Sequence, residues 1–271
     1  MKKNKSFKIC PLASGSKGNC VFVSTPETAV LVDAGLSGVE IEKRLALVGQ
    51  TPEALAGIII THEHTDHVRG AGILSRRFNI PVYITPQTNG ACKHLGKVPQ
   101  LKFFECGTSF SINELQIAPF SISHDARDPA GLTLSFGEKK IGIATDLGHV
   151  TALVKEHLKN CHALYIESNH DPEMLINGSY PWFLKQRVKS RTGHLSNMDT
   201  RALLAEILDS NPDQCLDPDW KPNLAHVILA HLSEENNCPK KAAIEVGKGI
   251  NGSGVCLHVA GPDRPGEMIH L

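Results

Sequence analysis

The chain has 271 residues, and its 28 Lys and Arg are balanced by 28 Asp and Glu, so the formal net charge is zero with His neutral. That balance excludes a strong overall field toward nucleic acid or anionic membrane, and an apolar content of 41% excludes a disordered chain. A chain of this length builds a core without covalent staples, and its eight Cys include no CxxC pair, which reads as reduced thiols in a reducing compartment.

In chain order, the basic run Met1 to Lys5 is followed by Gly15, Ser16, Lys17 and Gly18 before an apolar signal core forms. No stretch approaches the ~18 apolar residues of a membrane span, so the expectation is a soluble, cytoplasmic protein with no membrane partner. Phe7 to Leu12, Cys20 to Ser24 and Ala29 to Val32 predict three short strands. The turn residues Ser14 to Asn19 and Asp33-Ala34-Gly35 make them an antiparallel meander. Ile41, Leu45 and Val48 recur at helical spacing. Ile58-Ile59-Ile60, apolar on both faces, predicts a buried strand that runs into Thr61-His62-Glu63-His64-Thr65-Asp66-His67, after which Val68 to Arg77 predicts one helix.

Farther along, Leu132 to Phe136 and Ile141 to Ala144 flank the turn Gly137 to Lys140, a hairpin pattern. A helix over Val150 to Lys159 then leads to a strand at Ala163 to Ile166. Thr200 to Leu208 predicts an amphipathic helix and Ala225 to Ala230 another buried strand. Strands alternating with helices, with a meander in each half, predict an α/β protein with a two-sheet core and helices outside. Asn211 to Pro222, with three Pro and three Asp, reads as a surface excursion, and no linker divides the chain. The expectation is a single domain over residues 1–271.

The strongest chemical signal is His62-x-His64-x-Asp66-His67. Imidazoles two apart on an extended segment leave the same side and reach one cation together, and Asp66 and His67, beyond the turn, can face a second. Imidazole and carboxylate are donors of intermediate hardness, suited to Zn, Mn or Fe rather than Ca or Mg. Further candidates stand just past apolar runs: His124 after Phe120 to Ser123, Asp146 after Ile143 to Thr145, and His231 after Val227 to Ala230. Each alone reads equally well as a surface residue after a strand. Lys185, Arg187, Lys189 and Arg191 put four cations in seven residues. As a helix they would form i,i+4 pairs on one basic face, either a phosphate-binding surface or a solvated one. Ser14 to Asn19, with Ser16 at its centre, is either a backbone cradle for an anion or only the first hairpin turn. Trp182 and Tyr180 are the base-stacking candidates.

These residues carry a family resemblance. The sequence resembles the metallo-β-lactamase superfamily, whose signature is HxHxDH followed by a His, an Asp and a final His. More narrowly it is similar to the YycJ/WalJ group of bacterial hydrolases with that fold. The narrower likeness rests on Leu12-Ala13-Ser14-Gly15-Ser16-Lys17-Gly18-Asn19-Cys20, Ser123-His124-Asp125-Ala126, Ala144-Thr145-Asp146-Leu147-Gly148, Glu167-Ser168-Asn169-His170-Asp171, Gly193-His194-Leu195-Ser196-Asn197 and His231-Leu232-Ser233-Glu234-Glu235-Asn236. Two small departures, Lys17 where a second Ser is usual and Leu132 where an aromatic is common, touch no ligand.

The resemblance implies an αββα sandwich, two mixed β-sheets with helices on the outer faces. It implies two divalent metal ions, Zn or Mn with Fe also tolerated. His62, His64 and His124 would hold the first, Asp66, His67 and His231 the second, with Asp146 shared and a metal-bridging hydroxide as nucleophile. Asp33 would orient the metal loop from behind the ligands, though a plain turn Asp before Gly reads equally well. Asp66, Glu167 and His194 are the catalytic residues implied, the last two by likeness to the RNA-processing branch, where a Glu and a His assist the leaving oxygen. Ser14, Ser16, Lys185 and Arg187 would contact substrate. The activity implied is that of a phosphodiesterase, an exonuclease acting on DNA from the five-prime end and connected with DNA repair. An ester, thioester or cyclic phosphodiester hydrolase for small molecules would use the same ligands, and a non-catalytic metal-binding module fits a complete ligand set least well.

Overall fold

The computed structural model describes residues 6–209 and 223–271. The basic N-terminal run and the segment 211–222 read above as an excursion lie outside the described residues. Among those described, fourteen strands form two mixed seven-stranded sheets. The chain divides into two compact units, one of Met1–Ser121, Ala126–Lys139 and Ala260–Leu271, the other of Ile122–Asp125 and Lys140–Val259.

In the first unit β1 (Lys8–Ala13), β2 (Cys20–Ser24) and β3 (Ala29–Val32) form the expected antiparallel meander, with Ile9 opposite Val23 and Phe22 opposite Leu31. β2 and β3 are buried along their whole length, which is why they read as continuous apolar runs rather than as alternation. α1 (Gly38–Leu47) follows, capped by Ser37, whose side chain accepts from the Glu40 amide, and it buries Ile41 and Leu45. The chain returns through β4 (Leu55–Ile59), which runs parallel to β3 with Val32 opposite Ile59.

The single helix expected over Val68 to Arg77 is two, α2 (Thr65–Val68) and α3 (Ala71–Phe78). The break is imposed at Gly70. Its amide donates to the Ala34 carbonyl at 2.7 Å, and a Cβ there would stand 2.4 Å from the Leu36 carbonyl oxygen. The loop after β3 therefore presses on the chain at a residue without a side chain. β5 (Val82–Ile84), α4 (Pro86–Ala91) and β6 (Leu101–Phe103) continue the parallel order. β7 (Phe110–Ile112), β8 (Leu115–Ser121) and β9 (Ala130–Phe136) form an antiparallel meander.

In the second unit β10 (Lys139–Ala144), β11 (Ala163–Glu167), β12 (His226–Ala230) and β13 (Cys256–Val259) run parallel, with Ile143 opposite Tyr165 and Tyr165 opposite Ile228. The helices here are α5 (Ala152–Leu158), α6 (Pro172–Asn177), α7 (Trp182–Lys189), α8 (Asn197–Asp209) and α9 (Pro239–Gly247). In this register Ala144, Ile166 and Leu229 lie side by side. The residues that follow, Asp146, Glu167 and His231, therefore leave one sheet edge together, the carboxyl ends of parallel strands where open α/β sheets bind ligands. No helix of the described residues is long and apolar enough to cross a membrane.

Candidate functional site

In the first unit the site is built from the residues after β3 and β4. Asp33 takes a left-handed backbone, φ 60°, and is buried. Its Oδ1 accepts from the Thr61 amide at 2.9 Å, both oxygens accept from Thr61 Oγ1, and Oδ2 accepts from His67 Nδ1 at 2.7 Å. An imidazole that donates through Nδ1 presents Nε2 as its electron pair. Asn19 bears this out: its amide nitrogen donates to His67 Nε2 at 3.0 Å and to Asp66 Oδ2 at 3.2 Å.

The one-turn helix α2, with His64 as its N-cap residue, sets Asp66 and His67 one after the other. The His62 ring centroid lies 4.6 Å from that of His64 and 4.0 Å from that of His67. Gly35 closes the arrangement from behind. A Cβ on it would fall 1.6 Å from the Asp66 carbonyl oxygen, so only glycine lets the loop lie this close.

In the second unit the centre is Glu167 at the end of β11, fully buried. Its Oε1 accepts from His194 Nδ1 and from His231 Nδ1, each at 2.8 Å, and its Oε2 accepts from the amides of Leu147 at 2.8 Å and Leu195 at 3.1 Å. Asp146 Oδ1 lies 3.5 Å from His231 Nδ1 and 3.6 Å from His124 Nε2, and His124 Nδ1 faces the Gly193 carbonyl at 3.3 Å. One ligand atom from each of Asp146, Glu167, His194 and His231 lies within 4.8 Å of the others.

Burial alone would push the Glu167 carboxyl up, but the His194 charge and the ring hydrogen bonds of His194 and His231 hold it well below the usual carboxylate range. Burial would likewise lower His194, yet the Glu167 carboxylate lifts it above the ordinary imidazole value. His124 is lowered, chiefly by burial, which suits a neutral ligand. The His194 side chain keeps 18% of its surface exposed against 4% for His231, so of the two rings on Glu167 it is the one open to solvent. The donor set of two or more imidazoles and a carboxylate per unit, with ring tautomers set by Asp33 and Glu167, fits divalent ions of intermediate hardness.

The residues named for substrate contact fare differently. Ser14 is buried, and its amide donates to Gly261 at 3.1 Å, whereas Ser16 is exposed. In this turn Asn19 reaches Asp66 and His67, and its place as the last polar residue before β2 was the available signal. Lys185 and Arg187 do not join a continuous basic face. α7 ends at Lys189, so Arg191 lies beyond the helix. Lys185 Nζ donates to the carbonyls of Ile176 at 2.7 Å and Gly178 at 2.8 Å, and Arg187 Nε donates to Asp125 Oδ2 at 2.7 Å. Trp182 is 71% exposed, as is its unexpected neighbour Phe183 at 73%.

The sequence model of the Metallo-beta-lactamase superfamily matches residues 13–166, a stretch that holds the His62 to His67 motif, His124 and Asp146. The chain belongs to the metallo-beta-lactamase superfamily. It is 36% identical over 269 residues to exodeoxyribonuclease YycJ of Bacillus anthracis, covering 96% of this chain and 97% of that one. It is 38% identical over 241 residues to exodeoxyribonuclease WalJ of Streptococcus pneumoniae serotype 2, covering 87% and 85%. Among solved structures, the metallo-beta-lactamase fold protein YhfI from Bacillus subtilis superposes with a TM-score of 0.72 at 15% identity, over 96% of this chain and 99% of that one, a likeness of fold. His194 and His231 lie past residue 166, and what joins them is geometry, since both rings end on one oxygen of Glu167.

Proposed function

We propose that this chain is a metal-dependent exodeoxyribonuclease that hydrolyses phosphodiester bonds of DNA from the five-prime end, with Zn or Mn as its ions. The observation that carries the reading is the pair of imidazoles, His194 and His231, held by one buried carboxylate oxygen of Glu167. The likeness over most of the chain to two exodeoxyribonucleases supports it. His62, His64, Asp66, His67, His124, Asp146 and His231 are the proposed ligands of the two ions. Bound there, divalent ions would lower the pKa of water toward about 7 and offset the charge of the phosphate oxygens.

The chain's own residues do the rest. Asp33 fixes the His67 ring so that Nε2 is its ligand atom, and Glu167 does the same for His231. His194, with its Nδ1 proton on Glu167 and its pKa raised, keeps a proton available near neutral pH and gives it to the departing oxygen. Glu167 stays ionised through the cycle and stabilises the imidazolium.

A nuclease assay on end-labelled single- and double-stranded DNA and RNA, in Zn, Mn and Mg, tests the reading. His64→Ala is expected to abolish cleavage. His194→Ala is expected to keep its metal and to slow turnover by about 10²–10⁴-fold, the range of a lost general acid. Equal metal loss in both variants would make His194 a ligand instead. Faster turnover of a thioester than of any phosphodiester would move the protein to the small-molecule hydrolases of the superfamily.

A further inference from the structure

The second unit holds an open cleft of about 390 Å³ beside the segments that carry Asp146 and His194. His149 follows Asp146 by three residues and Arg191 precedes His194 by three, so the backbone of each lies within about 11 Å of the site residue. Lys155, Lys189 and Arg191 line the cleft together with Asp199 and Glu206.

The two carboxylates are committed. Asp199 Oδ2 accepts from the Ser196 amide at 3.0 Å and from Ser196 Oγ at 2.5 Å, at the start of α8, and Glu206 is paired with Lys155. Among the described residues Lys189 pairs with no carboxylate, which leaves Lys189 and Arg191 as the cations available to a ligand.

Arg191 is also held in place. His149 Nδ1 donates to the Arg191 carbonyl at 2.9 Å, and Arg191 Nη2 donates to His149 Nε2 at 2.9 Å. The same carbonyl accepts from Ser123 Oγ at 2.9 Å. This reciprocal clamp employs both ring nitrogens of His149 and one donor of the guanidinium. The remaining N–H groups, in the planar fork that matches a phosphate, are ordered before any ligand arrives.

We propose that this cleft binds a backbone phosphate of the substrate strand, neighbouring the bond that is cleaved. Arg191 is its fork, Lys189 its second cation and His149 the residue that positions Arg191. The assignment rests on the nuclease reading for the identity of the strand, while the chemistry recognised is a phosphate oxyanion.

The test is binding of a fluorescein-labelled oligodeoxynucleotide with cleavage-resistant phosphorothioate linkages to the metal-loaded protein, by anisotropy over a salt series, with inorganic phosphate titrated in parallel. The double variant Lys189→Gln with Arg191→Gln is expected to bind about tenfold more weakly or worse and to lose about one unit of salt slope for each cation removed. Arg191→Lys is expected to keep the slope without the full affinity, because an ammonium has no fork. His149→Ala is expected to weaken binding at unchanged slope.

Equal affinity and slope in the wild type and the double variant overturn the site, as does a wild type that binds no oligonucleotide. Inorganic phosphate bound as tightly as the oligonucleotide assigns the cleft to free phosphate and overturns the strand assignment. Binding that weakens as expected in a protein that cleaves no nucleic acid supports the cleft and overturns the nuclease reading.

Discussion

Three of the candidate site residues that follow strands hold a left-handed backbone without being glycine: Asp33 at φ 60°, Asp146 at 56° and His231 at 54°. Such a conformation costs on the order of 1 kcal/mol each and persists only where the surroundings over-determine it. Here they do. The Asp33 amide donates to the Ile59 carbonyl at 2.8 Å while its carboxylate engages Thr61 and His67. The His231 carbonyl accepts from Asn169 Nδ2 at 2.8 Å while its ring ends on Glu167. Asp33→Asn separates the two roles of that residue, because Asn tolerates the left-handed turn but lacks the charge that orients His67. We expect a metal affinity about 10–100-fold lower and a stability loss of about 1–3 kcal/mol from the mismatched donors. Equilibrium dialysis and urea unfolding measure these, and an undiminished affinity would reduce Asp33 to a turn residue.

The ends of β11 and β12 and the start of α8 are joined by side-chain amides. Asn197 and Asn237 exchange hydrogen bonds at 3.0 and 2.9 Å. Ser168 Oγ donates to Asn197 Oδ1 at 2.6 Å, and Asn237 Nδ2 also reaches the Ser168 carbonyl at 2.9 Å. Thr200 Oγ1 donates to the Glu167 carbonyl at 2.6 Å. A buried network of this kind rigidifies what it joins only while every member is satisfied. Asn197→Ala removes the Asn197 contacts of Asn237 and Ser168 and is expected to lower the unfolding free energy by about 2–3 kcal/mol. It should also slow turnover more than it weakens metal binding, because the loops that carry His194 and His231 lose their tether while Asp33 and the His62 to His67 segment keep theirs. Parallel losses of metal and turnover would count against this division.

Across the molecule, burial sets the response to pH and to thiol reagents. His170 is 4% exposed, and burial, partly opposed by the Glu167 charge, pushes its pKa down to about 4. The unfolded value is about 6.5, so between these limits the unfolded chain binds more protons and stability rises with pH. The contribution, on the order of 3 kcal/mol, is fully present above about pH 6.5 and is lost as the pH falls toward 4. Urea midpoints at pH 7, 5.5 and 4.5 should fall accordingly, and His170→Gln should flatten the decline. Burial likewise pushes the Cys10 thiol up to about 11 and Cys161 to about 12, and raises Cys20 further. At pH 8 a brief alkylation should label exposed Cys256 and spare these three until the protein unfolds. Rapid labelling of Cys20 would contradict the packing of the first sheet.

The bounds of β2 and β3, the buried strand before His62, the donors of the His62 to His67 motif and the strand-end positions of His124, Asp146 and His231 were all readable from residue type and spacing. Local periodicity reports which faces are apolar, and a donor's chemistry belongs to its side chain. What residue type and spacing alone do not give are the pairings between residues far apart along the chain. Asp33 meets His67, Glu167 collects both His194 and His231, Asn19 reaches Asp66, and Gly70 breaks a helix against Ala34 and Leu36. The basic run shows the limit most plainly, since four cations of equal promise divide into a helix-end tether at Lys185, an ion pair at Arg187 and cleft walls at Lys189 and Arg191. An ammonium or guanidinium takes whichever acceptor lies within about 3 Å in space, and that distance is a property of the folded chain, on which the order of residues places no local constraint.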